Sequence, residues 1–289
     1  MQSYISGSRI RAWITGLMII IVCLSGGAWA VGIHVTSEPE LGTTNYLTNS
    51  DFEQGVSGPQ NWRFTTGRAD LLSGHWSDTA FRGQKSVAIE AVNGDMSGYW
   101  GQDSIAVKPG ENLLLSAWVK LEQGRVLMYA IGLDNRSGQR KQVYNDRRLY
   151  LSSASDNPLY PVFVKPDLLR GLLGPEWQRQ RFLFQNAPEV NLVNLRLGLY
   201  FGSTPGEVRF DRAYFGPPWV TLSVNVSGED IQRIEILDDL GITIHDTKAL
   251  GGRTQWSGTL QIPADLEYCE IVVTDGDGRV TKMRYPQER

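Results

Sequence analysis

Residues 45–62 read N-Y-L-T-N-S-D-F-E-Q-G-V-S-G-P-Q-N-W: a short apolar run, a cluster of polar turn formers, the triplet Asp51-Phe52-Glu53, and a Gly-Pro loop ending in Trp62. Far downstream, residues 207–216 read E-V-R-F-D-R-A-Y-F-G, a strand with Asp211 in its middle. The first and last strands of a domain commonly pair where its ends meet. Pairing these two brings Glu53 near Asp211, and two carboxylates held together need a cation or a proton. Everything between them reads as the body of one β domain.

Outward from those ends, the body alternates. Residues 86–91 (S-V-A-I-E-A) put Val87, Ile89 and Ala91 on one face, and Ile105 and Val107 lead into the turn Lys108-Pro109-Gly110. In residues 113–121 (L-L-L-S-A-W-V-K-L), Leu115, Ala117, Val119 and Leu121 share a face while Ser116, Trp118 and Lys120 point the other way. Residues 126–133 are apolar on both sides. In residues 193–201, Leu195, Leu197, Leu199 and Phe201 face inward, leaving Asn194, Arg196, Gly198 and Tyr200 outward. Many short strands between turn signals, with little helical periodicity, predict an all-β sandwich.

Five motifs in this order resemble the jelly-roll, galactose-binding-like carbohydrate-binding modules found beside xylanases and glucanases. They are N-Y-L-T-N-S-D-F-E-Q-G followed by Trp62, F-R-G-Q-K-S-V-A-I at residues 81–89, the Pro-Gly turn with L-L-L-S-A-W-V-K, Trp177 ahead of F-L-F, and V-R-F-D-R-A-Y-F. The resemblance covers residues 45–216. It implies a structural Ca²⁺ between the first and last strands, held by Glu53, Asp211 and backbone oxygens near Asp51, Arg82 and Lys85. Hard oxygen ligands at ~2.3–2.6 Å are what Ca²⁺ requires. A hydrogen-bonded carboxylate pair, or a salt bridge to Arg82 or Arg212, is the rival reading. Two departures stand out: Ser50 replaces the family's glycine, and residues 134–176 read as an insertion. Its first half is basic and aromatic; its second half, residues 166–174, is expected to form a short helix with Leu168, Leu169, Leu172 and Leu173 as its stripe.

The ends of the chain read differently. Residues 1–30 contain no acid, carry Arg9 and Arg11 ahead of an apolar run, and end in Ala28-Trp29-Ala30, the small-x-small pattern of a signal peptide. The same run is long enough for an uncleaved membrane-anchor helix at ~20 residues. Either way the remainder is expected to be exported: periplasmic, cell-surface or secreted. Residues 31–44 read as a tether. Beyond the hinge Gly216-Pro217-Pro218-Trp219, residues 219–289 read as a smaller immunoglobulin-like β domain, with Asp275-Gly276-Asp277-Gly278 as a hairpin turn.

Beyond the leader the one cysteine is Cys269, so a disulfide within the mature chain is excluded. Removing Arg9 and Arg11 takes the formal charge from −3 to −5, which argues against a nucleic-acid partner. The three histidines are scattered, and neither a serine elbow nor a phosphate loop occurs, so the chain is not expected to be an enzyme. The nine tryptophans carry more information, because flat aromatic rings stack on sugars. Trp118, Tyr129, Arg196 and Tyr200 make up the candidate carbohydrate-binding face, with either a sugar or the insertion covering Trp118. The basic cluster Arg136, Arg140, Lys141, Arg147 and Arg148 would favour an anionic polysaccharide. Two function classes follow: an exported, non-catalytic polysaccharide- or glycan-binding protein, or a structural accessory subunit docking onto a protein partner in a membrane or cell-envelope complex.

Overall fold

The computed structural model describes residues 31–92, 97–153, 169–200, 206–248 and 250–286, with residues 169–172 through their backbone alone. In chain order the strands are β1 (Gly32–Glu38), β2 (Arg63–Thr66), β3 (Leu72–Ser77), β4 (Ser86–Ala91), β5 (Gly98–Ala106), β6 (Asn112–Gln123), β7 (Arg125–Asp134), β8 (Lys141–Ser153) and β9 (Leu169–Leu173). They continue with β10 (Gln178–Gln185), β11 (Leu192–Leu199), β12 (Gly206–Gly216), β13 (Trp219–Leu237), β14 (Thr243–Thr247), β15 (Arg253–Pro263), β16 (Cys269–Asp275) and β17 (Val280–Tyr285). The fold is all-β, as alternation predicts. The expected leader helix lies outside the described residues.

The chain divides into two compact units. Residues 37–221 with 261–268 form the larger, and residues 31–36, 222–260 and 269–286 the smaller. In the larger unit, a five-stranded sheet ordered β10-β6-β12-β4-β3 and a six-stranded sheet ordered β2-β5-β11-β7-β8-β9 supply the two layers of a sandwich. Its core is built from the inward sets predicted by alternation: Val87 and Ile89, Leu115, Ala117, Val119 and Leu121, and Leu195, Leu197 and Leu199, all within one buried cluster. Burying an aliphatic or aromatic side chain of this kind stabilises by roughly 1.5–3 kcal/mol. In the smaller unit the strands join one hydrogen-bonded sheet around β13, whose Leu222, Val224 and Val226 alternate inward and are buried.

Three expectations are corrected. Residues 32–38, read as tether, form β1 of the smaller unit's sheet. The segment read as an insertion supplies two strands of the six-stranded sheet: β8 pairs antiparallel with β7, and β9 pairs in parallel with β8, Leu149 opposite Leu169. Leu169–Leu173 is therefore strand and not helix; a partner strand with free hydrogen-bonding groups outweighs a short leucine period. Leu149, Leu151 and Leu173 join the sandwich core. Finally, residues 261–268, read as part of the C-terminal module, pack in the larger unit.

Candidate functional site

The register of the six-stranded sheet ranks its side chains in rows. One row is Phe64, Trp100, Leu197, Met128 and Leu149, opposite one another across β2, β5, β11, β7 and β8. Four of the five, all but the partly buried Phe64, are buried in the core. The rows on either side must then face outward. They are Arg63, Gly101, Arg196, Tyr129 and Arg148, and Thr65, Tyr99, Gly198, Leu127 and Tyr150. Tyr200, one residue past β11, continues the second face and is tied down by its N–H to the Arg125 carbonyl at 2.8 Å.

These residues enclose a pocket of about 300 Å³, bordered by Tyr99, Leu127, Tyr129, Ile131, Arg148 and Tyr200. That volume is at the low end for small-ligand sites. Tyrosines stand edge to face in two pairs, Tyr99–Tyr129 with centroids 6.3 Å apart and Tyr150–Tyr200 at 5.5 Å. Glycines keep this face of the sheet low, Gly198 within the pocket lining and Gly101 beside it under Arg196. A Cβ on Gly101 would lie 2.7 Å from Arg196 Nη1, and one on Gly198 would lie 2.9 Å from the Gly98 carbonyl oxygen. With Gly101 bare, Arg196 lies along the sheet, 5.0 Å from the Tyr99 centroid, and pairs with Asp103 at 2.6 Å. Arg63 reaches the same carboxylate at 3.6 Å. Arg148 sits 5.7 Å over the Tyr129 ring. Burial, more than the neighbouring arginines can offset, raises the Tyr129 phenol above its ordinary value.

Of the four sugar-face residues read from the sequence, Tyr129, Arg196 and Tyr200 meet on this face. Trp118 does not. It belongs to β6 in the other sheet, is only 5 % exposed, stacks on Phe81 at 3.6 Å and lies under Arg179 at 4.8 Å. The alternation argument gave its side of the strand correctly; among the described residues its cover comes from Phe81 of the β3–β4 loop and Arg179 of β10. The sequence reading missed Tyr99, Gly101 and Tyr150. The signal was present in G-Y-W-G, where an inward Trp100 forces Tyr99 and Gly101 outward.

On the opposite sheet, Asp211 is fully buried. Its Oδ2 accepts the Phe81 and Arg82 amides at 2.8 and 3.1 Å, and its Oδ1 accepts the Arg212 amide at 2.7 Å. Burial outweighs these bonds and pushes the carboxyl up to about 6. Glu53 Oε1 accepts the Gln84 and Lys85 amides at 2.8 and 3.0 Å. The two carboxylates thus clamp one loop between them. Around it, Asp51 Oδ1 is 3.5 Å from the Glu53 amide, Lys85 pairs with Asp78, and Arg82 pairs with Glu267. Elsewhere on this sheet, His75, Glu90 and Glu207 bring ligand-type atoms within 4.8 Å of one another. Arg209 already pairs with that Glu207.

Residues 44–156 match the family model of a carbohydrate binding domain. The matched stretch runs through β8 and includes Tyr99, Tyr129, Arg148 and Tyr150; Arg196 and Tyr200 lie beyond it. The resemblance to carbohydrate-binding modules therefore holds on the part of the jelly roll that carries most of the pocket. No curated protein matches the chain. Among solved structures, the chain is similar to the enzymatically active domain of bacteriophage CBA120 tailspike protein 4, at 13% identity over 60% of this chain and 21% of that one, TM-score 0.42. It is similar to a family 16 carbohydrate binding module at 14% identity over 59% and 99%, TM-score 0.38. A xylan-binding domain from Paenibacillus barcinonensis gives 13% identity over 61% and 96%, TM-score 0.37. None of the three superposes closely enough to bear on function.

Proposed function

We propose that this chain is an exported glycan-binding protein whose jelly roll holds a polysaccharide along the outer face of the six-stranded sheet and performs no chemistry on it. The observation that carries this reading is the pocket bordered by Tyr99, Tyr129 and Tyr200, on a face whose reverse side is core, within a stretch that largely matches a carbohydrate binding domain. Two edge-to-face tyrosine pairs offer flat apolar surface, and Arg148, Gln142 and Asn145 offer polar groups at its rim. A binding role is supported over a hydrolytic one because the charge lining the pocket is a cation, where glycoside hydrolysis uses a pair of acids. The Cys269 thiol is buried and pushed up to about 12, which removes it as a nucleophile. Export is supported by the acid-free leader with Arg9 and Arg11. A glycan-array screen of the full chain tests the reading.

The proposal includes a structural Ca²⁺. Asp211 is a fully buried carboxylate met by three backbone amides and, through space, by the Arg212 charge, with no salt bridge within 4 Å among the described residues. A cation nearby would offset the burial that pushes its carboxyl up. Glu53 and Asp211 would hold it, with carbonyls of Asp51, Arg82 and Lys85, and the ion would tie the loop to β12. EDTA is then expected to lower the melting temperature of the wild type but not of Asp211→Ala. An unchanged wild-type melt rejects the ion in favour of the amide clamp.

A second reading, a structural accessory subunit of a membrane or envelope complex, draws support from the smaller unit. This unit, read from sequence as immunoglobulin-like, exposes Leu240, Ile242 and Val280. Co-purification of a stable envelope partner, with a blank glycan array, would favour it.

A further inference from the structure

We propose that the pocket selects a uronate, so that the glycan is a carboxylate-bearing acidic polysaccharide and Arg148 is the residue that recognises its charge. This rests on the glycan-binding reading above. Among the arginines of this face, Arg196 and Arg63 share Asp103; the neighbouring Arg147, opposite the core residue Ala130 and so on the other side of β8, is paired with Asp146 at 3.2 Å. Arg148 pairs with no carboxylate among the described residues. Its Nε donates to the Asn145 carbonyl at 2.5 Å and its Nη1 to the Tyr150 hydroxyl at 3.2 Å. Two neutral acceptors therefore fix the guanidinium plane, and no acid among the described residues compensates its charge.

The rest of the described lining is neutral. Tyrosines, Leu127, Ile131, Gln142 and Asn145 surround Arg148, and no acid is among them. A fixed guanidinium presents a planar fork that matches a carboxylate, and the charge-assisted bond is about twice as strong as the bond to a neutral hydroxyl. The half-buried setting reduces screening by water. Of the five basic residues at 136–148 that the sequence marks, Arg148 is the one that lines the pocket. The chain as a whole carries −3, so attraction for an acidic polymer has to come from this local site.

The test is affinity electrophoresis of the full chain in gels containing polygalacturonate or alginate, or the same polymers with their carboxyls reduced to alcohols. Wild type is expected to bind an acidic polymer about tenfold or more tightly than its reduced form. Arg148→Gln is expected to bring the two affinities together, while Arg147→Gln keeps the preference. Equal wild-type binding to acidic and reduced polymers, or an unchanged preference in Arg148→Gln, overturns the uronate assignment and leaves glycan binding standing. Retention by neither polymer, together with a blank glycan array, overturns both.

Discussion

On the outer face of the five-stranded sheet, Trp118 packs against both the Phe81 ring and the Arg179 guanidinium and is nearly buried. On the outer face of the six-stranded sheet, Tyr99, Tyr129 and Tyr200 stay half-buried around a pocket. The same alternation puts all four rings on the outside of a sheet. What separates them is chain from elsewhere: the β3–β4 loop folds over Trp118, and residues 261–268 dock beside it through Asp265 with Arg181 and Glu267 with Arg82 and Arg212. Strand parity tells which side of a sheet a residue takes. Whether solvent or a ligand reaches that side depends on loops the strand does not encode.

The comparison breaks most visibly at Trp118. Its replacement by alanine is expected to destabilise the larger unit by about 3–5 kcal/mol, as for other buried aromatic truncations. Chemical denaturation gives the number. A variant that keeps its stability but loses glycan binding would reverse the roles of the two faces.

Asp265→Ala probes the docked segment. The Asp265 side chain is fully buried and takes Arg181 in a two-pronged contact at 2.8 and 2.9 Å. Its removal is expected to cost about 1 kcal/mol by the same measurement, because the two-pronged pair is lost while the exposed Arg181 regains water. A cost near zero would mean that the segment does not hold that face closed.

Tyr129→Ala should do the converse: a stability loss of about 1 kcal/mol, with glycan Kd raised about tenfold, or ~1.4 kcal/mol. Titration calorimetry against the best array ligand reads the affinity. The smallest effect is in pH. Burial holds the Tyr129 phenol above its usual ~10, so glycan binding should be flat between about pH 6 and 9. The preference for an acidic polymer should fade as pH falls through ~4, where the ligand's own carboxylates take up protons. A midpoint near neutrality would implicate a protein group instead.

Much of the sandwich was legible. Leu115/Ala117/Val119 and Leu195/Leu197/Leu199 announced their inward sides, and the outward positions of Arg196 and Tyr200 followed. Which sheet each strand joins was not legible, because β6 and β11 belong to opposite layers and alternation is silent about layers. That is why Trp118 was grouped with Tyr129, Arg196 and Tyr200. The leucine pairs of residues 168–173 mimic a helical stripe, yet a free edge on β8 recruits Leu169–Leu173 as a strand. Tyr99 and Gly101 escaped notice because no long apolar run marks β5; the single inward Trp100 carried the signal.

The central claim, that the outer face of the six-stranded sheet is a glycan-binding face, is tested most directly by a glycan array probed in parallel with wild type and Tyr129→Ala. Wild type is expected to retain at least one polysaccharide, and Tyr129→Ala to retain it markedly more weakly, at a melting temperature lowered by no more than a few degrees. Equal retention by the two proteins, or none by wild type, would contradict the claim.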